Sequence, residues 1–213
     1  MGFIVEPARF VEDAEYERSL ESLNAYYSRF VGRHFDSLVL ELDPARFTER
    51  DFFAVSTLSV NVPPEAGLAL LDNAECESLL GEIPVDARIE DDSVSIEASS
   101  PAYLLWNLLR RLPGLGPTIT SKLMAAKRPH LVPIHDSFVS DALLRGQLDG
   151  EWAAWRHAMA SQDLRSTCER LRNDSEAPVF VPNLRILDVV VWMRVHGDVR
   201  AGDTSFWADP QGV

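Results

Sequence analysis

The sequence predicts an all-α fold, and three observations predict it. Apolar residues recur every three or four positions over long stretches, prolines fall where helices begin, and period-two alternation is confined to one short segment. Tyr16, Leu20, Leu23, Tyr27 and Phe30 line one face of a helix over 12–30. Residues 33–47, with Phe35, Leu38, Leu40 and Phe47, fit a short helix or an extended stretch equally well. Thr48 is placed to cap a helix carrying Phe52, Phe53, Val55 and Leu58. Pro63-Pro64 interrupts it, and Pro64 suits the first turn of another helix reaching Leu71. A short helix over 74–80 is expected to end at Gly81. In 83–97, Ile83, Val85, Ile89, Val94 and Ile96 alternate around Glu90-Asp91-Asp92, which reads as a loop with room for a minor β-hairpin. Ser100-Pro101 opens a helix to about Leu112, Pro117 opens the next to Lys127, and Arg128-Pro129 stops it. Asp136 begins a helix to Arg145, and 152–172 holds one long helix or two broken ones. Asn183 is expected to cap a last, nearly continuously apolar helix over 184–196, stopped by Gly197.

The resulting plan is a single domain over 1–213 with two lobes. Residues 99–145 form one lobe, 1–81 and 151–197 supply packing helices, and 198–213 is an irregular tail. With 46% hydrophobic and 25% charged residues, the chain can bury a core without metal or disulfide staples. Its two cysteines, Cys76 and Cys168, are too few for an iron–sulfur cluster or a four-cysteine zinc site. The start of the chain lacks a basic, then apolar, leader, and Glu6 stands where a myristoylation signal needs Ser or Thr. The most apolar stretch, 184–195, contains Arg185, Asp188 and Arg194 and is too short to cross a bilayer. The expectation is a cytoplasmic protein with no membrane partner.

The net charge of −13 works against nucleic-acid binding, which depends on Lys and Arg. The charge is uneven, however. Residues 98–135 contain no Asp or Glu but carry Arg110, Arg111, Lys122, Lys127 and Arg128. Such an island suits one anion-binding face on an acidic body, or an apolar core segment with its few bases turned to solvent.

Within that island, Leu112-Pro113-Gly114-Leu115-Gly116-Pro117-Thr118 joins two helices. Glycines let the backbone turn sharply and approach a ligand, and the second helix offers unpaired N–H groups at the positive end of its dipole. The helix over 119–127 follows, then Val132-Pro133-Ile134-His135-Asp136-Ser137-Phe138-Val139. This segment of about 30 residues closely resembles the helix-hairpin-helix superfamily of DNA glycosylases. There the hairpin is followed, after one helix, by an apolar pair and the catalytic aspartate. The run from Lys127 to Asp136 is closer still to an uncharacterised, mainly actinobacterial family. The resemblance implies a helical glycosylase-like domain that contacts DNA backbone through Gly114, Leu115, Gly116, Thr118, Lys122, Lys127 and Arg128. It implies Asp136 as the catalytic carboxylate of a DNA-repair hydrolase. It also implies no organic cofactor, and a monovalent cation on the backbone carbonyls of Arg110, Leu112 and Leu115.

The chain departs from the family in two places. Thr118 stands where bifunctional members carry the nucleophilic lysine, so the implied chemistry is monofunctional base excision without Schiff-base strand cleavage. No cysteine cluster follows, which excludes the iron–sulfur subclass. An extruded base would sit in a pocket, with Asp136 facing the positive charge that develops on the sugar. Asp136 is equally a good helix N-cap, and one aspartate can serve both purposes. His135 beside it is a second candidate. The aromatics Trp106, Trp152, Trp155, Trp192, Tyr26, Tyr27 and Tyr103 suit the core better than a stacking pocket. The histidines His34, His130, His135, His157 and His196 show no metal-ligand spacing. A reading of another class stands beside this one: a non-catalytic helical module binding a protein or a small ligand.

Overall fold

A computed structural model describes residues 5–146 and 150–201, the last four by their backbone. Among the described residues it is helical throughout, with no strand. A 3-10 turn at Pro7–Phe10 and another at Asp13–Glu15 lead into α1 (Tyr16–Arg29). Then follow α2 (Arg33–Val39), α3 (Glu49–Ser56), α4 (Pro64–Leu70), α5 (Ala74–Glu82), α6 (Pro101–Arg110) and α7 (Pro117–Lys127). The remainder is α8 (Ser137–Leu144), α9 (Glu151–Ala160), α10 (Gln162–Asp174) and α11 (Asn183–Ala201). No described helix is long and apolar enough to cross a membrane.

Short polar side chains set most helix starts. The Thr48 N–H and hydroxyl both donate to Asp51 Oδ2 ahead of α3, at 2.8 and 3.0 Å. Asn73 Oδ1 accepts from the Cys76 N–H at 3.0 Å and Ser100 Oγ from the Tyr103 N–H at 3.2 Å. Ser161 Oγ accepts from the Leu164 N–H at 3.3 Å, which splits α9 from α10. Each such cap is worth about 1 kcal/mol.

Three expectations about local structure are corrected or narrowed. Residues 83–97 form turns, as the loop reading expected, without the minor β-hairpin. Ile83 and Ile89 are both buried while Val85 is exposed. The Ile89 N–H donates to the His130 carbonyl at 3.0 Å, and Asp91 Oδ1 closes a turn on the Ser93 N–H at 2.8 Å. Side-chain anchors, not a ladder, therefore hold the segment. Gly197 does not stop the last helix, which continues to Ala201. Gly197 is absent from the positive-φ glycines, so it lacks the left-handed turn of a C-cap and only weakens the helix, by about 1 kcal/mol. Of the expected tail, 202–213 lies outside the described residues. Asn183 is the first residue of α11 and not its cap. Its amide accepts from Arg172 at 2.8 Å and donates to Glu169 at 3.2 Å, tying α11 to α10.

The chain divides into two compact units, Tyr27–His135 and Met1–Tyr26 with Asp136–Val213. The division differs from the expected lobe at 99–145, because α6 and α7 pack on helices from the N-terminal half. In the Tyr27–His135 unit, here the hairpin unit, α5 packs on α6, α3 on α7, α2 on α3, and α6 on α7. Its core includes Phe35, Phe47, Leu70, Leu80, Leu105, Leu109 and Leu123. From Thr120 to Lys127 every residue of α7 is buried, as expected of a helix without one polar face.

That burial includes two bases, and the C-cap Arg128 is a third buried base. Lys127 is an ion pair with Asp51, and both side chains are fully buried. Its ammonium also donates to the Asp43 carbonyl at 2.7 Å and lies over the Phe47 ring. Burial pushes the Lys127 pKa down, and the Asp51 carboxylate opposes that shift. The Arg128 guanidinium donates to the carbonyls of Leu80, Ile83, Pro44 and Lys127. Lys122 donates to the Leu58 carbonyl at 2.8 Å.

In the second unit, here the terminal unit, α11 packs against α10, α8 and the Pro7–Phe10 turn. Phe10, Leu23, Trp155, Cys168, Leu171, Ile186, Leu187 and Val190 are buried there. Arg194 of α11 pairs with Glu15 at 2.7 Å, and Ser19 donates to the Phe10 carbonyl. Cys76 in the hairpin unit and Cys168 in the terminal unit are free and buried, and burial pushes both thiols up to about 12.

Lys127→Ala should cost about 3–5 kcal/mol of stability, because Asp51 is left as a buried, unpaired charge. Urea unfolding measures this, and adding Asp51→Asn should recover part of the loss. The glycines of the α6–α7 turn should separate sharply in the same assay. Gly114 has φ +79, and a Cβ there would lie 2.7 Å from Pro63 Cγ. Gly114→Ala should therefore cost more than the roughly 1–2 kcal/mol of a left-handed alanine alone. Gly116 has φ −70 and meets nothing closer than 4.0 Å, so Gly116→Ala should stay within about 0.5 kcal/mol of wild type.

Candidate functional site

The hairpin between α6 and α7 is built by its own backbone. The Leu112 N–H donates to the Leu109 carbonyl, Leu115 to Leu112, Gly116 to Gly114, and Thr120 to Gly116. Gly114 supplies the one left-handed residue, while Gly116 is the extended N-cap of α7. Pro117 has no N–H to offer. The amides of Thr118 and Ile119 are the first in α7 without an intrahelical acceptor. Thr118 and Ile119 are partly exposed, Gly114 is exposed, and Leu115 is buried as the hairpin's anchor. The hairpin thus offers backbone donors to an anion, with Arg110 and Arg111 exposed at the end of α6.

Other expected contacts are not at that surface. Lys122, Lys127 and Arg128 are between 2% and 7% exposed and committed to internal partners, so they do not form the phosphate-facing row the sequence suggested. Their physical role is to satisfy carbonyls of the hairpin unit. The carbonyls expected to hold a cation have partners of their own. The Leu115 carbonyl accepts from Arg110 Nη1 at 2.8 Å, and the Leu112 carbonyl accepts from Leu115. A guanidinium already at one of the three carbonyls repels a metal ion there, so the Arg110, Leu112 and Leu115 carbonyls do not fit a monovalent cation.

α7 also fixes the chain that leads out of the hairpin unit. Ser121 Oγ donates to the Thr118 carbonyl at 3.0 Å and accepts from the His135 N–H at 2.9 Å. His135 is 9% exposed, which places it in the packing.

Asp136 opens the second segment of the terminal unit. Its Oδ1 accepts from the N–H groups of Phe138 and Val139 at 3.0 and 3.3 Å, so it caps α8. The same oxygen lies 3.6 Å from Nε2 of His196, on α11. The Asp136 and His196 side chains are 19% and 21% exposed, which leaves both within reach of solvent. Two rings pack against His196. The His196 ring centroid is 4.4 Å from that of Trp192 and 4.9 Å from that of Phe138. Trp192 meets Tyr26 edge-on at 6.2 Å. Behind Tyr26, its hydroxyl accepts from Arg185 at 2.7 Å, and Arg185 pairs with Asp188.

Arg185, Asp188, Trp192 and His196 follow helical spacing along one face of α11. Sequence reasoning assigned Trp192 to the core and set His196 aside. The available signal was polar and aromatic residues recurring on one face of an otherwise apolar helix. Trp106 and Trp155 are core residues, as expected. No group of His, Cys, Asp and Glu among the described residues can hold a metal ion.

No curated protein and no solved structure matches the chain. A family of unknown function, DUF6308, matches residues 19–195, a span that takes in both the hairpin and Asp136. Because that match extends over most of its length, the chain belongs to the DUF6308 family.

Proposed function

We propose that the chain is a monofunctional N-glycosidic hydrolase acting on DNA, with Asp136 as its catalytic carboxylate. The observation that carries this reading is the setting of Asp136. One carboxylate oxygen is fixed by two backbone amides, while Oδ2 has no hydrogen-bond partner among the described residues. The group is solvent-accessible beside Trp192, His196 and the half-exposed Phe138 ring. A flat, apolar surface of that kind suits an extruded base.

In the reaction, the C1′–N bond breaks and its electron pair leaves with the base. Asp136 stabilises the positive charge that develops on the sugar ring. Water adds at C1′, and Asp136 accepts its proton. Thr118 offers no amine, so the product is an abasic site in an intact strand. Backbone phosphate is bound by the first-turn amides of α7 and by Arg110 and Arg111.

A screen of modified-base duplexes tests this directly. Wild type should release a base from at least one duplex, with strand breaks appearing only after alkali. Asp136→Asn should keep the melting temperature, because Asn is an equally good N-cap, and should lose about 10²–10³ in rate. Full activity in that variant removes Asp136 from the mechanism. DNA affinity should fall with salt at a log–log slope of only about −2, reflecting two exposed arginines in place of five bases.

The internal placement of Lys122, Lys127 and Arg128 on a chain of charge −13 favours a second reading, a non-catalytic module for a protein or small ligand. It predicts that no duplex is retained even at low salt.

A further inference from the structure

The geometry points to His196 as the positioning residue for Asp136, a role that rests on the reading of Asp136 as the reactive carboxylate. Among the described residues, Nε2 of His196 is buried and has no hydrogen-bond partner, although it lies 3.6 Å from Asp136 Oδ1. A buried donor without an acceptor costs stability unless something nearby relieves it. Among the described residues, the Asp136 carboxylate lies within reach of that nitrogen. The ring itself cannot swing freely, because Trp192 lies against it at a 39° tilt and Phe138 at 56°. α11 also continues past His196 to Ala201, so the residue sits within the helix and not at its end.

A shift of a few tenths of an ångström would convert the contact into a charge-assisted hydrogen bond. Contacts of catalytic groups are commonly longer before substrate binds than in the reacting complex. The bond would complete a fixed geometry for Oδ1, held by two amides and one imidazole, and would leave Oδ2 toward the sugar. Orientation of this kind is worth a large factor in rate, since a misplacement of about 1 Å can cost on the order of 10².

Two measurements on the full chain test the assignment. The first needs no activity. Long-range proton–nitrogen spectra of labelled histidine report the hydrogen bonding of His196 Nε2. In Asp136→Ser, which keeps an N-cap but removes the carboxylate, the Nε2 resonance should move from its wild-type position. Identical His196 spectra in the two proteins would overturn the pairing.

The second is single-turnover base release on the duplex identified in the screen. His196→Phe keeps the stacked ring and removes the nitrogen. It should slow release on the order of 10-fold to 100-fold, with DNA affinity changed less than about threefold, and His196→Gln should restore most of the rate. A wild-type rate in His196→Phe would mean that the ring serves packing alone and would defeat the proposal. Should wild type release no base from any duplex, the glycosylase reading fails, while the spectra still decide whether His196 holds Asp136.

Discussion

The hairpin unit depends on positive side chains that answer the carbonyl ends of its helices. Helices leave their last C=O groups without intrahelical donors, and a buried carbonyl without a partner is costly. Arg128 reaches the carbonyls of Leu80, in the last turn of α5, and Ile83, just beyond it. Lys122 reaches Leu58, two residues past α3, while Lys127 and Arg128 take Asp43 and Pro44 in the connection from α2 to α3. One region, the second half of α7 and its C-cap, therefore ties three chain ends together. The same charges complement the negative ends of the helix dipoles. The hairpin grows from the start of this anchored helix, so its amides are presented from a fixed base.

That arrangement explains what the sequence could and could not disclose. Helix starts were legible because they are local: Thr48, Asn73, Ser100 and Asp136 act within three residues of themselves. The acid-free window was legible as a fact and open in meaning. Its bases read as surface residues because the window holds no acid to pair with them, whereas most of the actual acceptors are backbone carbonyls, which carry no mark in the sequence. Asp51, the buried partner of Lys127, also closes the cap at Thr48, so its local role gives no sign of the distant one. Gly197 misled for a related reason, since a glycine ends a helix through its φ, and composition does not reveal φ.

At the candidate site the split is similar. Asp136 was legible as a cap from its local chemistry, and its spacing from the hairpin singled it out as a candidate. Its neighbours were not. His196 comes from a helix far along the chain, and the packing of α11 on α8 brings it to Asp136, with Trp192 against its ring. The five bases of the window divide into three structural and two exposed residues, a division decided entirely by tertiary contacts.

The two sealed sulfurs have a practical meaning. Each unit owns one cysteine, both are shielded, and neither thiol ionises readily near neutrality. Alkylation must then wait for the surrounding helices to part. The chain carries an intrinsic pair of clocks, one per unit, whose separate labelling rates would tell whether the halves open together or in turn.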